Sequence, residues 1–276
     1  MLTETFSSIV TAVRKVFANW PALLLVAIVY VALLATLYFF IAVREASIGQ
    51  VALTFALAFV APILFFVLQT MIASGFSSDV QPVSAGLLAK RSLTGFWKFI
   101  VITLPLIALA VLVIYLLAKY QSHLAAVPDG VQLHPMASSR THETARVPIN
   151  WKGAALSTIR YLALGLVLPL AAIHLWLATA RDGLLAALKR TRQLLARAFA
   201  PQSVFIYVVG FLIFAVVPYF LLFRATPNKH AWLEIVLLTA RLAAVFALTL
   251  LGWITTVKAI ALVNAKSPEP ATNEAA

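Results

Sequence analysis

Trp20–Ala42 reads WPALLLVAIVYVALLATLYFFIA, a run without one charged residue. A helix rises 1.5 Å per residue, so about 20 such residues cover the ~30 Å hydrocarbon core of a bilayer. The run therefore predicts a membrane-spanning helix. Working outward, comparable apolar stretches lie near Gln50–Ala73, Phe96–Ala118, Ile159–Ala180, Ser203–Phe223 and Ile235–Val263. Strands of a membrane barrel would be about ten residues of alternating polarity, which these continuous runs exclude. The expected fold class is all-α: a polytopic membrane bundle of six transmembrane helices in one domain, residues 1–264, followed by a disordered tail, residues 265–276.

Composition agrees. Of 276 residues 63% are hydrophobic, and 21 Lys and Arg stand against 9 Asp and Glu, where a soluble domain has about a quarter of its residues charged. In a soluble protein the net charge of +12 would suggest nucleic acid; beside spanning helices it fixes orientation and meets anionic lipid, so no nucleic-acid partner is expected. The absence of cysteine excludes disulfides, thiolate metal sites and a cysteine nucleophile. No basic residue precedes Arg14, and the first apolar run is too long for a signal-peptide core, so it is expected to be retained as an anchor.

Six spans put both termini on one side. Placing them in the cytoplasm gives that side Arg14, Lys15, Lys90, Arg91, Lys98, Arg181, Lys189, Arg190, Arg192, Arg197, Lys258 and Lys266, against Arg44, Arg224 and Lys229 in the short loops opposite. The positive-inside rule then selects a multi-pass protein with both termini cytoplasmic, and a bacterial cytoplasmic membrane is the expected location. Trp20 and Trp97 fall at the cytoplasmic boundary, and Tyr38, Tyr120, Trp151, Tyr161, Tyr219 and Trp232 at the external one, as an aromatic belt requires.

Three basic amphipathic segments precede spans. In the first, Phe6, Ile9, Val10, Val13 and Phe17 recur at helical spacing opposite Ser7, Thr11, Arg14 and Lys15, which predicts a helix lying in the interface. In the strongest, Asp182 to Phe199, the stripe Leu184, Leu188, Leu195, Phe199 lies opposite Lys189, Arg190, Arg192, Gln193 and Arg197. A weaker version runs from Val83 to Leu93 with Lys90 and Arg91. These basic side chains are the expected contacts to lipid headgroups, preferentially anionic ones. Residues 14–20 can be laid on residues 90–96, and Ala198-Phe199-Ala200 echoes Val16-Phe17-Ala18, which suggests three copies of surface helix plus helical hairpin.

The stretch Arg181-Asp182-Gly183-Leu184-Leu185-Ala186-Ala187-Leu188-Lys189-Arg190 through Phe199, followed by an apolar span, resembles the corresponding part of a group of uncharacterised bacterial six-span inner-membrane proteins. That group is related in pattern to the membrane domain preceding some glycerophosphodiester phosphodiesterases. The resemblance covers most of the chain and implies a basic surface helix entering the fifth span. The group carries no established catalytic residues, so it implies no active site. The soluble phosphodiesterase domain has no counterpart in this sequence, and the external loop, residues 119–158, is longer than the pattern implies.

Few residues could carry chemistry. Pro62, Pro105, Pro169 and Pro218 each interrupt a span and free a carbonyl, either as a packing kink or as the wall of a substrate path. An intramembrane polar site could draw on His174, Arg241, Glu234 and Gln69, with Thr103 a further polar group at depth. Glu234 shares a helical face with Arg241 seven residues on, so snorkelling with Glu234 as partner accounts for Arg241 without a ligand. His174 could bind the metal of a tetrapyrrole, but bis-histidine haem needs a second intramembrane histidine and the sequence offers none. His123, Asp129, His134, His142 and Glu143 in the loop match no metal-site spacing. No nucleotide-binding glycine signature, nucleophile elbow or paired carboxylate occurs in a span, so neither enzymatic activity nor a cofactor or metal is expected. Two readings stay open: a transport-like or envelope-lipid-handling protein, and an accessory or scaffold subunit packing against membrane-protein partners through small residues such as Ala240, Ala244 and Ala247.

Overall fold

The structure, a computed structural model, describes residues 2–43, 47–76, 84–124, 151–224 and 231–266. Arg44, the loop residues His123 to Glu143 with their metal-ligand types, and the tail beyond Lys266 lie outside the residues whose side chains are described. The described part is 96% helical with no strand. Six helices are long and apolar enough to cross a membrane: Trp20–Ala42, Ile48–Phe76, Ala85–Tyr120, Trp151–Asp182, Pro201–Phe223 and Trp232–Ala265. The chain is an all-α, multi-pass membrane protein.

The elements are α1 (Leu2–Ala18), α2 (Trp20–Ala42), α3 (Ile48–Phe76), α4 (Ala85–Leu124), α5 (Trp151–Leu162), α6 (Leu168–Asp182), α7 (Leu184–Lys189), α8 (Thr191–Ala198), α9 (Pro201–Phe211), α10 (Val217–Phe223) and α11 (Ala231–Lys266). Short π-helical turns, Ala163–Val167 and Leu212–Val216, join α5 to α6 and α9 to α10. Each precedes a proline by two residues, Pro169 and Pro218. A proline ring clashes with the carbonyl four residues back, and widening the turn relieves it: Leu168 N–H donates to Ala163 and Val217 N–H to Leu212, five residues back. Pro62 and Pro105 sit inside α3 and α4 without ending them.

The chain divides into two compact units, Met1–Leu104 with Leu170–Ala276, and Pro105–Pro169. The smaller unit holds the second part of α4, α5 and the first π-helical turn. In the larger unit α6 has the longest buried run, every residue from Leu170 to Thr179. It reaches four neighbours. Trp176 packs its ring on Phe65 of α3 and Phe99 of α4, and its indole N–H donates to Thr103 Oγ1 at 2.8 Å. Ser203 of α9 meets His174, and Arg181 donates to the Ala261 carbonyl of α11 at 3.2 Å. Between helices in lipid such bonds contribute about 0.6 kcal/mol each.

Two sequence expectations are corrected. The segment Val83–Leu93 is not a separate surface helix, because α4 runs unbroken through Lys90, Arg91 and Trp97. The other two junctions break at Asn19 before Pro21 and at Ala200 before Pro201, whereas Gly95 lies 3.7 Å from Thr70 Cγ2, as a notional Cβ would see it, and stays helical without a proline. The segment Asp182–Phe199 is two helices rather than one. Gly183 turns the chain with φ 85°, ψ 169°, a region open essentially to glycine. Then Thr191 Oγ1 donates back to Leu188 O at 2.8 Å and to Ala187 O at 3.2 Å, drawing off carbonyls that would continue α7.

Helix α1 leaves its bulky stripe outward, as the reading of an interfacial helix expected: Phe6, Val10, Val13 and Phe17 are exposed, while Thr5, Ser8, Ala12 and Val16 are buried. A small, partly polar face packs on α11, where bulky side chains would hold the helices apart.

Candidate functional site

The basic residues divide by surroundings. Arg14, Lys15, Lys90, Arg91, Lys189 and Arg192 are exposed. Lys258, read from sequence as a boundary marker, is 4% exposed. Arg190 and Arg197 are brought together with Arg181 by the α7–α8 elbow.

The elbow forms because Gly183 reverses the chain at the end of α6, its N–H held by Thr179 O at 3.2 Å, and because α8 ends at Phe199 and Ala200 before Pro201 opens α9. Under it lie two adjoining hollows of about 60 and 40 Å³ that share Ala178, Asp182, Leu194 and Arg197. The first adds His174, Arg181 and Asn264; the second adds Arg190 and Gln193. Three guanidinium groups against one carboxylate leave the place cationic. Guanidinium groups present forked donors matched to phosphate oxygens, and Asn264 and Gln193 supply neutral amide donors. The arrangement offers the donors that an anion of phosphate type requires. Sequence reasoning found Arg190 and Arg197 but missed Arg181, Gln193 and Asn264 as members.

The residues proposed for an intramembrane polar site are not gathered into one. Gln69 Oε1 accepts from Trp253 Nε1 at 3.0 Å, tying α3 to α11. His174 donates from Nδ1 to Leu170 O at 3.0 Å, and its Nε2 lies 3.4 Å from Ser203 Oγ. That pair resembles a nucleophile and base, but Ser203 is 1% exposed and does not line the hollow, so it ties α6 to α9. Arg241 donates from Nε to Leu237 O at 3.4 Å and from Nη1 to the carbonyl of Arg224, just past α10. Glu234, exposed, stands in the first turn of α11, about 10 Å of helix axis from Arg241. Its carboxylate there complements the helix dipole.

Among the described residues no group of three or more His, Asp or Glu could hold a metal ion. No protein-family model matches the chain, and no curated protein and no solved structure matches it either.

Proposed function

We propose that this is a non-enzymatic, lipid-handling protein of a bacterial cytoplasmic membrane that holds the phosphate of an anionic lipid headgroup beneath the α7–α8 elbow. The convergence of Arg181 and Arg197 with Asn264 on one hollow, and of Arg190 and Arg197 on the hollow adjoining it, carries the reading. A conduit for solutes is disfavoured because the polar groups at depth, Gln69, Thr103, His174 and Arg241, are each engaged in a helix-to-helix or helix-to-carbonyl bond. The positive-inside pattern puts the elbow and both termini in the cytoplasm.

Native mass spectrometry of the purified protein with added phosphatidylglycerol or phosphatidylcholine tests it. Phosphatidylglycerol should be retained preferentially, less so as salt rises. Arg190→Gln and Arg197→Gln should each weaken retention about five-fold, from ~1 kcal/mol per basic residue. Equal retention of both lipids, or no effect of either substitution, would defeat the proposal. A protein co-purifying in fixed stoichiometry with no retained lipid would favour the accessory-subunit reading.

A further inference from the structure

Helix α1 turns its small face to α11 and leaves Phe6, Val10 and Phe17 outside. In water that choice would leave apolar area wet at roughly 25 cal/mol per Å². Against lipid tails, as apolar as the side chains themselves, it has no such cost. The outer side of α1 therefore belongs among acyl chains.

On that side, between α1, the junction of α9 with its π-helical turn, and α11, lies a cavity of about 210 Å³. Ile9, Val13 and Phe17 line it from α1, Val209 and Ile213 from the π-turn side, and Leu251 from α11. Its floor exists because Gly210 lets α9 lie directly on Thr256, where a Cβ would collide with that side chain. Its lining along α11 runs from Leu248 to Ala259, about 16 Å of helix axis. The place is long, nearly free of polar atoms and smaller than the ~300 Å³ at which pockets for compact organic ligands begin. An apolar cavity stays dry and takes apolar guests. The exposed cations Arg14 and Lys15 do not line the cavity but stand within one helical turn of Val13 and Phe17, where their long side chains are in reach of a headgroup outside it.

We propose that this cavity holds one acyl chain of an anionic phospholipid, with Arg14 and Lys15 beside its headgroup. The site uses none of the elbow arginines and stands or falls apart from them.

The test is photo-crosslinking of the full chain in nanodiscs, using phosphatidylglycerol with a diazirine in its acyl chain and the matching phosphatidylcholine probe in parallel. Adducts are mapped by peptide mass spectrometry. In the wild type, adducts from the phosphatidylglycerol probe should concentrate in residues 9–17 and 248–259, several-fold above the exposed α4 residues Val111, Leu112 and Tyr115. Val13→Trp and, separately, Thr255→Leu fill the cavity and should lower its labelling several-fold while α4 labelling stays constant. Arg14→Gln with Lys15→Gln should abolish the preference for phosphatidylglycerol, and Arg190→Gln with Arg197→Gln should leave it intact. Cavity labelling no stronger than that of α4, labelling insensitive to a folded filling variant, or equal labelling by both probes overturns the proposal. So does a protein-to-protein dimer in place of lipid adducts. Should both filling variants fail to fold, the wild-type comparison between cavity and α4 decides alone.

Discussion

Arg241 carries a full charge on an apolar helix, which hydrocarbon alone would penalise by a few kcal/mol. Its guanidinium reaches the Arg224 carbonyl just past α10 and the Leu237 carbonyl one turn back. Orphan carbonyls at a helix end carry partial negative charge, so a cation there caps α10 and is itself compensated. Lysine at this position should keep part of the contact. Arg241→Leu should lower stability by about 1.5–3 kcal/mol, the worth of hydrogen bonds from a charged group, read as thermal unfolding in detergent; full stability of the leucine variant would remove the capping role. Ser203→Ala tests the other buried tie. It should cost about 1 kcal/mol by leaving His174 Nε2 without its hydroxyl, yet leave phosphatidylglycerol retention unchanged, and a loss of retention at full stability would instead put Ser203 in the lipid site. Residue type alone made His174 and Arg241 conspicuous in the sequence. Their partners were not legible, because Leu170 O and Arg224 O are backbone groups and Ser203 is 29 residues distant.

At the scale of elements, hydrophobic length located every span, while punctuation decided which junctions broke. Pro21, Gly183 and Pro201 mark real breaks, and the junction lacking a proline, at Gly95, is continuous helix. The outward side of α1, with Phe6, Val10 and Phe17, follows from its reading as an interfacial helix. Helical spacing does not show what the opposite, small face packs on, and its contact with α11 was not legible. The elbow pocket was half legible: charge marked Arg190 and Arg197, but Asn264 joins them only through the packing of α11. Gly183 governs that pocket most directly. A Cβ there meets nothing within 4 Å, so Gly183→Ala acts through the backbone alone, straining a glycine-only conformation by about 1–3 kcal/mol. The expected outcome is a destabilised elbow and weaker phosphatidylglycerol retention with the six spans intact, measured by native mass spectrometry beside circular dichroism. Unchanged retention would show that the elbow's geometry does not build the site.

The whole molecule is organised by lipid as its outer solvent. Trp20, Trp97, Tyr38, Tyr120, Trp151, Tyr161, Tyr219 and Trp232 are all exposed, as an interfacial belt demands. The buried segments Phe66–Ala73, Leu170–Thr179 and Thr256–Leu262 gather toward the ends of α3, α6 and α11 that lead to Phe76, Asp182 and Lys266. By the alternation of six spans these ends share one side. That side also holds the elbow, so the best-packed part of the larger unit stands behind its cationic pocket. The orientation proposed from the positive-inside bias puts it in the cytoplasm, and the chain's lack of cysteine makes that proposal directly measurable. Ser47→Cys, exposed between the first two spans, should react with a membrane-impermeant maleimide in intact cells. Ala196→Cys, exposed on α8, should react only after permeabilisation. The reverse pattern would place the elbow outside the cell, away from the charge bias that selects its orientation, and the lipid it meets would then belong to the opposite leaflet.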